Sequence, residues 1–519
     1  MASRVMGFVR ELVTSFYFGA GAAADAFIAA LTIPTLFRDI LGEDVVERSF
    51  MPGVREELSR KNYQRAWHLA SASLTWMILG MVVIGALVWC AAPWLVKIVA
   101  QGIHQRQVDE GTFADTVQMT RILVPFLMFI ALAAFVGGLL YYGFDQHLPY
   151  SFAPISLSVG VITMLVLFNK ELGIYALAWG FVIGAAFQFL VQLPFLRRRC
   201  ICDTEPAYKP TLRFPAGTSR RISRETLFVT IQSVLTKTTE VVDRRVASFL
   251  APGSISSLWF AARLTQLPFA IFAISIARAV TPHLSERIGV GDKQGFREGV
   301  LIGYRYNLVL MLPITALLIV LADPIVRLVF ERGEFGNRDV AMTALAFACY
   351  AVGLLGMSLY TFGSRVCSTL GRNNVATVTA AVGGAVNIYL NYVLSATVLR
   401  HGGLALATSI GFTVNSALLF LWLHRHLRRT DSGFTAREFF APMLRVGINA
   451  TVAGCVTWLV FTGFVQRVDW LIEGWLVPKL FAVCIPLALG GGVYVVASLV
   501  NPVPEIQPLI RRVKKRLRG

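Results

Sequence analysis

Arginines placed inside apolar runs are the side chains whose chemistry most needs explaining. Arg4 and Arg10 lie in SRVMGFVRELVTSFYF, Asp25 heads DAFIAALTIPTLF, Arg38 and Asp39 follow Pro34 by one turn, and Glu43 closes the stretch. Far downstream, Arg263 sits one turn before Pro268 in a helix that also carries Arg278. A charge near the centre of a membrane helix costs roughly 3 kcal/mol even on the lenient insertion scale. Each such charge must therefore face water, a partner or a charged ligand. The planar fork of arginine matches the geometry of a phosphate. In these segments arginines outnumber acids, and an excess of fixed positive charge calls for an anion. For any one arginine the alternative is a buried ion pair with Asp25, Asp39 or Glu43.

A second group is rich in oxygen. Asp243 stands in VVDRRVASF, Asn387 and Asn391 are one turn apart in AVNIYLNYVL, and Thr408 lies in LALATSIGF. The two asparagines share a helix face. Carboxylate, amide and hydroxyl oxygens are ligands for a hard cation, with sodium as the candidate coupling ion. Equally, Asp243 can pair with Arg244 or Arg245 while the asparagines bind helix to helix. No enzyme is expected. The chain has no HExxH, no GxSxG and no phosphate-cradling Walker loop, so ATP is not a direct energy source. Cys200 and Cys202 lie in a basic loop with no histidine nearby, and no disulfide framework is legible among the seven cysteines.

The elements that must hold these residues are membrane helices. Of 519 residues, 55% are hydrophobic and only 15% charged, with a mean hydropathy of +0.63. That is not a soluble composition. The net charge of +18 raises the question of nucleic acid, but the positive charge lies in short segments between apolar runs and no loop is long enough for a binding domain. The first apolar segment is broken by Arg10 and lacks a cleavage site, so no cleavable signal peptide is expected.

Windows of about 20 apolar residues give fourteen spans. Two lie in the opening stretch; the rest fall near 69–97, 121–143, 151–169, 173–196, 226–250, 256–282, 301–329, 339–368, 375–398, 403–424, 441–466 and 475–499. One set of alternate loops, with the tail at 500–519, holds about 26 Lys and Arg and the other about six, which places both termini in the cytoplasm.

FVRELVTSFYFGAGAAADAF (8–27) aligns with VVDRRVASFLAPGSISSLWF (241–260), and each copy runs into a proline-containing helix, at Pro34 and Pro268. Repeated bundles with substrate held between them are a common transporter plan. The expected fold is an all-α membrane protein of about 14 transmembrane helices. It comprises two pseudo-symmetric six-helix lobes, 1–225 and 226–430, and two C-terminal helices with a basic tail, 431–519.

The run SRVMGFVRELVTSFYFGAGAAADAFIAALTIPTLFRDILGE resembles the start of the MurJ (MviN) family, lipid II flippases of the multidrug/oligosaccharidyl-lipid/polysaccharide exporter superfamily. The matching features are Ser3-Arg4, Gly7-Phe8, Arg10, the FGAG at 18–21, Asp25-Ala26-Phe27, Pro34, Arg38 and Glu43. DRRVASFLAPGSIS, AARLTQLP, ERGEF (331–335) and GGLALATSIGFTVNSALL (402–419) extend the likeness over nearly the whole chain.

The resemblance implies a flippase of the bacterial cytoplasmic (inner) membrane that moves undecaprenyl-diphosphate-linked disaccharide-pentapeptide, lipid II, to the outer leaflet by alternating access of the two lobes. Its partners would be lipid II, the surrounding membrane lipids and the cell-wall synthesis or division machinery, with no nucleic acid. The family's cavity arginines fall on Arg4, Arg10, Arg38 and Arg263, with Asp25 and Glu43 as acidic positions and the diphosphate meeting Arg10, Arg38 and Arg263. Its sodium site falls on Asp243, Asn387, Asn391 and Thr408, and the last two helices would border a groove for the isoprenoid tail.

Three departures stand out. Asp44 and Val45 follow Glu43 where the family has Gly-Ala, Arg278 replaces a small or polar residue, and Asn391 stands where sodium-binding members have an acid. The same features also leave open an exporter of another lipid-linked oligosaccharide, or a scaffold of the same fold without transport. A drug or cation antiporter fits less well, since its cavity should be acidic.

Overall fold

The computed structural model describes residues 2–43, 45–105, 110–197, 208–215, 219–428, 436–465 and 476–501. Asp44, Cys200, Cys202, much of the basic loop 197–225 and the tail beyond Asn501 lie outside the described residues. Each expected span falls on a helix. These are α1 (Ala2–Phe18), α2 (Ala22–Phe37), α3 (Tyr63–Val99), α4 (Gly111–Tyr142), α5 (His147–Leu172), α6 (Tyr175–Arg197) and α7 (Ser219–Ser248). Then come α8 (Ser254–Gly289), α9 (Lys293–Val320), the bent α10 (Asn337–Val352 with Leu354–Thr369), α11 (Asn373–Ser395), α12 (His401–Arg428), α13 (Ala436–Val465) and α14 (Leu476–Val500).

Among the described residues ten helices are long and apolar enough to cross a membrane, or eleven with the bent α10. The three that fall short are α1, α2 and α7. The first two have 17 and 16 residues, under the roughly 20 a bilayer asks for, and α7 carries Lys237, Glu240, Asp243, Arg244 and Arg245. All three carry charged residues. The protein is a multi-pass, all-α membrane protein.

The chain forms two compact units: residues 1–256 with 333–335, and residues 257–332 with 336–519. The lobes expected from the sequence follow the repeat, whereas these units follow packing, which groups α7 with the first.

In the first unit, α1 ends in a turn where Gly19 adopts φ +57°, a conformation open to glycine. Within α2, Pro34 offers no N–H to the helix ladder, and the Thr35 hydroxyl donates to the carbonyls of Leu31 and Thr32, both at 2.9 Å. Past it the helix widens into a π turn, Arg38–Glu43. Val46, Met51, Val54, Leu69, Leu127, Phe135 and Leu140 form the core beneath this segment.

The second unit repeats the proline device. Pro268 ends the regular part of α8's first half, and a π turn, Phe269–Ala273, follows. Such π turns mark positions where a helix gives up regularity, frequently at functional sites. Its core gathers Tyr304, Phe362, Leu308, Leu284 and Ala277, with the Tyr304 and Phe362 rings edge-on at 5.2 Å.

Helix α10 bends by 43° at Gly353. There the Gly353 N–H turns to the Tyr350 carbonyl, and the Ser409 hydroxyl donates to the Cys349 carbonyl at 2.7 Å. A Cβ on Gly353 would lie 2.5 Å from Ser409, so only glycine allows this approach.

The terminal pair α13–α14 docks on α9 through Val309, Val446, Ala450, Ala453 and Tyr494, and the Tyr494 hydroxyl donates to the Val309 carbonyl at 2.8 Å. Ion pairs hold both ends: Arg297 grips Glu438 at 2.6 Å, and Lys479 meets Glu331 at 2.7 Å.

Candidate functional site

The first unit presents three of the expected arginines in different settings. Arg4 is exposed near the start of α1. Arg10, nearly two turns further on, donates to Glu11 at 2.8 Å and lies over the Phe181 ring of α6, 5.0 Å from its centroid. Glu11 is only 5% exposed, so this is a buried carboxylate held by its neighbour in sequence. Arg38 opens the π turn after Pro34, where its Nε and Nη2 both donate to one oxygen of Asp39, at 2.8 and 2.6 Å. Asp39 also takes Lys237 of α7 at 2.5 Å, and Lys237 reaches Glu240 at 3.2 Å. Arg38, Asp39, Lys237 and Glu240 thus form a chain of alternating charge. Glu43 closes the same π turn.

Asp25 has a different job. It is 3% exposed, and its two oxygens accept from the Gly253 N–H at 2.7 Å, the Ser256 N–H at 2.7 Å and the Ser256 hydroxyl at 2.8 Å. It therefore satisfies donors at the start of α8, where a negative charge also suits the helix dipole. Asp25 acts here as a positioning residue that fastens the first turn of α8 to α2.

In the second unit, Arg263 is half-buried on α8. Its guanidinium lies over the Trp259 ring at 4.2 Å and donates to the side-chain oxygen of Gln266 at 3.1 Å. An indole face and an amide oxygen fix the plane of the fork one turn before the Pro268 break.

The oxygen-rich set divides between the units, with Asp243 in the first and Asn387, Asn391 and Thr408 in the second. Asn387 Nδ2 donates to Thr408 Oγ1 at 3.0 Å, Asn391 Nδ2 to Asn387 Oδ1 at 3.1 Å, and Thr408 Oγ1 to the Leu404 carbonyl at 3.1 Å. The trio is arranged as a hydrogen-bonded staple between α11 and α12. Beside Asp243, Arg245 donates to Gln101 at 2.5 Å and Arg244 to the Ile255 carbonyl at 3.4 Å.

Several members of the site are invisible to residue spacing. Glu11 is legible only as the acid next to Arg10, Lys237 hides in a strongly basic segment, and Phe181 and Trp259 read as ordinary core aromatics. Gln188 and Gln192, one turn apart on α6, are 8% and 1% exposed, and their side-chain oxygens have no hydrogen-bond partner among the described residues.

Comparison with known proteins fixes the family. The sequence model described as "Lipid II flippase MurJ" matches residues 14–472. The chain belongs to the MurJ family. It is 29% identical to the lipid II flippase MurJ of Burkholderia cenocepacia over 466 residues, 88% of this chain and 87% of that one. It is 30% identical to the probable lipid II flippase MurJ of Vibrio cholerae over 486 residues, 89% of this chain and 87% of that one. Among solved structures, a lipid II flippase MurJ in an inward closed conformation matches with a TM-score of 0.78 at 21% identity, covering 98% of both chains. An inward-facing multidrug resistance transporter of the MATE family matches with a TM-score of 0.69 at 14% identity, over 83% of this chain and 95% of that one. At such identities these two likenesses speak for the fold.

Proposed function

We propose that this protein flips lipid II, the undecaprenyl-diphosphate-linked disaccharide-pentapeptide, from the inner to the outer leaflet of the bacterial cytoplasmic membrane by alternating access, with both termini in the cytoplasm. Membership of the MurJ family supports the substrate class. The observation that carries the chemistry is Arg263, whose half-buried fork is held flat by Trp259 and Gln266 beside a proline-π break. A guanidinium held in this way offers parallel donors to a diphosphate.

Arg4, Arg10 and Arg38 are the further candidate arginines for the anion, Glu43 is the acidic position the family resemblance implies, and Asp25 positions the start of α8. Energy would come from an ion gradient or the membrane potential, the latter doing work of about 2.3 kcal/mol per charge per 100 mV. Sodium coupling through Asp243, Asn387, Asn391 and Thr408 would require Asn387 to turn its amide oxygen away from Asn391. Docking with cell-wall synthesis or division machinery would be a separate property of the exposed loops.

The test is complementation of a strain depleted of its own lipid II flippase. Arg263→Ala is expected to abolish rescue while membrane insertion stays normal. Full rescue by Arg263→Ala and by Arg38→Ala would overturn the diphosphate-binding role.

A further inference from the structure

One face of helix α3 marks where the bilayer begins and ends. Trp76, Leu79, Val83, Leu87, Cys90 and Trp94 recur at steps of three or four residues, and all are exposed. Met77, Met81, Val88 and Ala92, on the opposite side of the helix, are buried. An exposed apolar face with a tryptophan at each end is a lipid-facing surface bounded by two aromatic belts. From Trp76 to Trp94 is about 27 Å at 1.5 Å per residue, close to the roughly 30 Å of a hydrocarbon core. Trp76 therefore lies at one boundary of the bilayer. Behind it α3 runs back to Tyr63, about 20 Å further along the axis.

At that boundary a stretch of chain from far downstream is fastened to the helix. Residues 208–215 form neither helix nor strand. The Trp76 indole N–H donates to the Leu212 carbonyl at 3.0 Å, and the Thr211 N–H donates to the Thr75 hydroxyl oxygen at 3.3 Å. The Thr75 and Tyr208 hydroxyls meet at 3.0 Å. Pro215 is buried and Phe214 packs against the core of the first unit. Tyr208, Lys209, Leu212 and Arg213 stay exposed. A phenol ring, an apolar side chain and two cations at the depth of a tryptophan belt suit the head-group layer of a membrane. Amphipathic rings settle there, and basic side chains are drawn to anionic lipid by about 1 kcal/mol each, or roughly fivefold. We infer that residues 208–215 are a membrane-surface clasp in which Lys209 and Arg213 bind the phosphates of anionic phospholipids. The clasp is separate from the arginines assigned to the substrate and does not depend on what the protein transports.

The experiment measures hydrogen exchange in the purified full chain, in nanodiscs of phosphatidylcholine alone and of phosphatidylcholine with phosphatidylglycerol. Both leaflets of a nanodisc carry the same lipids, so the sidedness of the protein does not enter. The Thr211 and Arg213 N–H groups are hydrogen-bonded within the clasp, and their exchange reports how often it lifts from α3. In the wild type the segment is expected to exchange about 25-fold more slowly with anionic lipid at low salt, roughly fivefold for each cation. The difference should shrink at 1 M salt, where charges are screened beyond about 3 Å. The double variant Lys209→Gln/Arg213→Gln should exchange at the same rate in both lipids. Lys61→Gln removes an exposed cation that precedes the far end of α3, about 20 Å from Trp76, and should keep the wild-type difference.

Equal exchange of the wild-type segment in the two lipids overturns the inference, and this arm needs no variant to fold. So does a difference that persists in the double variant, or one that Lys61→Gln also abolishes, which would make it an effect of total charge. Inorganic phosphate added to phosphatidylcholine nanodiscs should leave exchange unchanged. Slowing by phosphate alone would assign Lys209 and Arg213 to a soluble anion and end the lipid claim.

Discussion

Arg10 and Arg38 of the first unit and Arg263 of the second are held by opposite means. Arg10 and Arg38 are oriented by carboxylates next to them in sequence, at 2.8 and 2.6 Å. Arg263 is oriented by an aromatic face and a neutral amide. A carboxylate holds a guanidinium firmly but reduces the positive potential around it, whereas a ring and an amide hold it without adding negative charge. The first arrangement suits charges that must be stable inside a bilayer. The second suits a charge presented to a ligand. Arg10 and Arg38 thus stand beside acids, and Arg263 stands beside a ring and an amide.

The largest effect that would break this contrast comes from substituting the two kinds of arginine in parallel. Arg263→Ala should lower affinity for a lipid diphosphate by about a hundredfold, as for a charged hydrogen-bonding group removed from a binding site, with little change in thermal stability. Arg10→Ala should act mainly on folding. It strips the ion pair from a carboxylate that is 5% exposed, a change that costs roughly 3 kcal/mol when a buried pair is broken from one side. Thermal unfolding in detergent separates the outcomes; equal destabilisation by both variants would erase the distinction.

Next in size is a gain. Glu11→Gln leaves Arg10 in place over Phe181 without its counter-charge, and should tighten anion binding several-fold in a titration with a soluble diphosphate. Unchanged or weaker binding would mean that Arg10 does not face the ligand.

A smaller effect is expected at Lys237→Met. Asp39 keeps Arg38 as its partner, so stability should fall by about 1 kcal/mol or less, and a larger loss would show that Lys237 is the anchor of the α2–α7 contact. Least of all should be the loop before α9. Asp292 accepts from the Gly295 N–H at 2.8 Å and from Arg287 at 2.7 Å. That backbone hydrogen bond, followed by Arg287, holds its carboxyl below the usual value of 3.8. Its contribution is therefore full above that value and fades as pH falls through the lowered one. Asp292→Asn should leave stability at neutral pH nearly unchanged and remove only a small part of the acid sensitivity, read as unfolding midpoints between neutral pH and pH 3.

Much of this was legible beforehand. The fourteen spans follow from apolar length, and each lands on a helix. The repeat predicted helix, turn, helix and proline twice, and the structure adds a π turn after each proline, which periodicity cannot reveal because a π turn changes hydrogen bonding without changing composition. The sequence also marked Arg38 and Arg263 but not how they are held. Trp259 looks like any apolar residue until its ring is found beneath a guanidinium. The resemblance marks Asp25 as an acidic position; the three donors it accepts come from a segment more than two hundred residues away, and no local pattern records them. The asparagine pair shows the same limit. Spacing puts Asn387 and Asn391 on one face, but only coordinates show the amides turned toward each other and Thr408.

The central claim is that Arg263 presents its guanidinium to the diphosphate of a lipid-linked substrate. Its most direct test is native mass spectrometry of undecaprenyl diphosphate bound to the purified wild type, Arg263→Ala and Arg263→Lys. The account predicts retained lipid on the wild type, little on Arg263→Ala, and an intermediate amount on Arg263→Lys, which keeps the charge but loses the fork. Equal occupancy of all three proteins would contradict it.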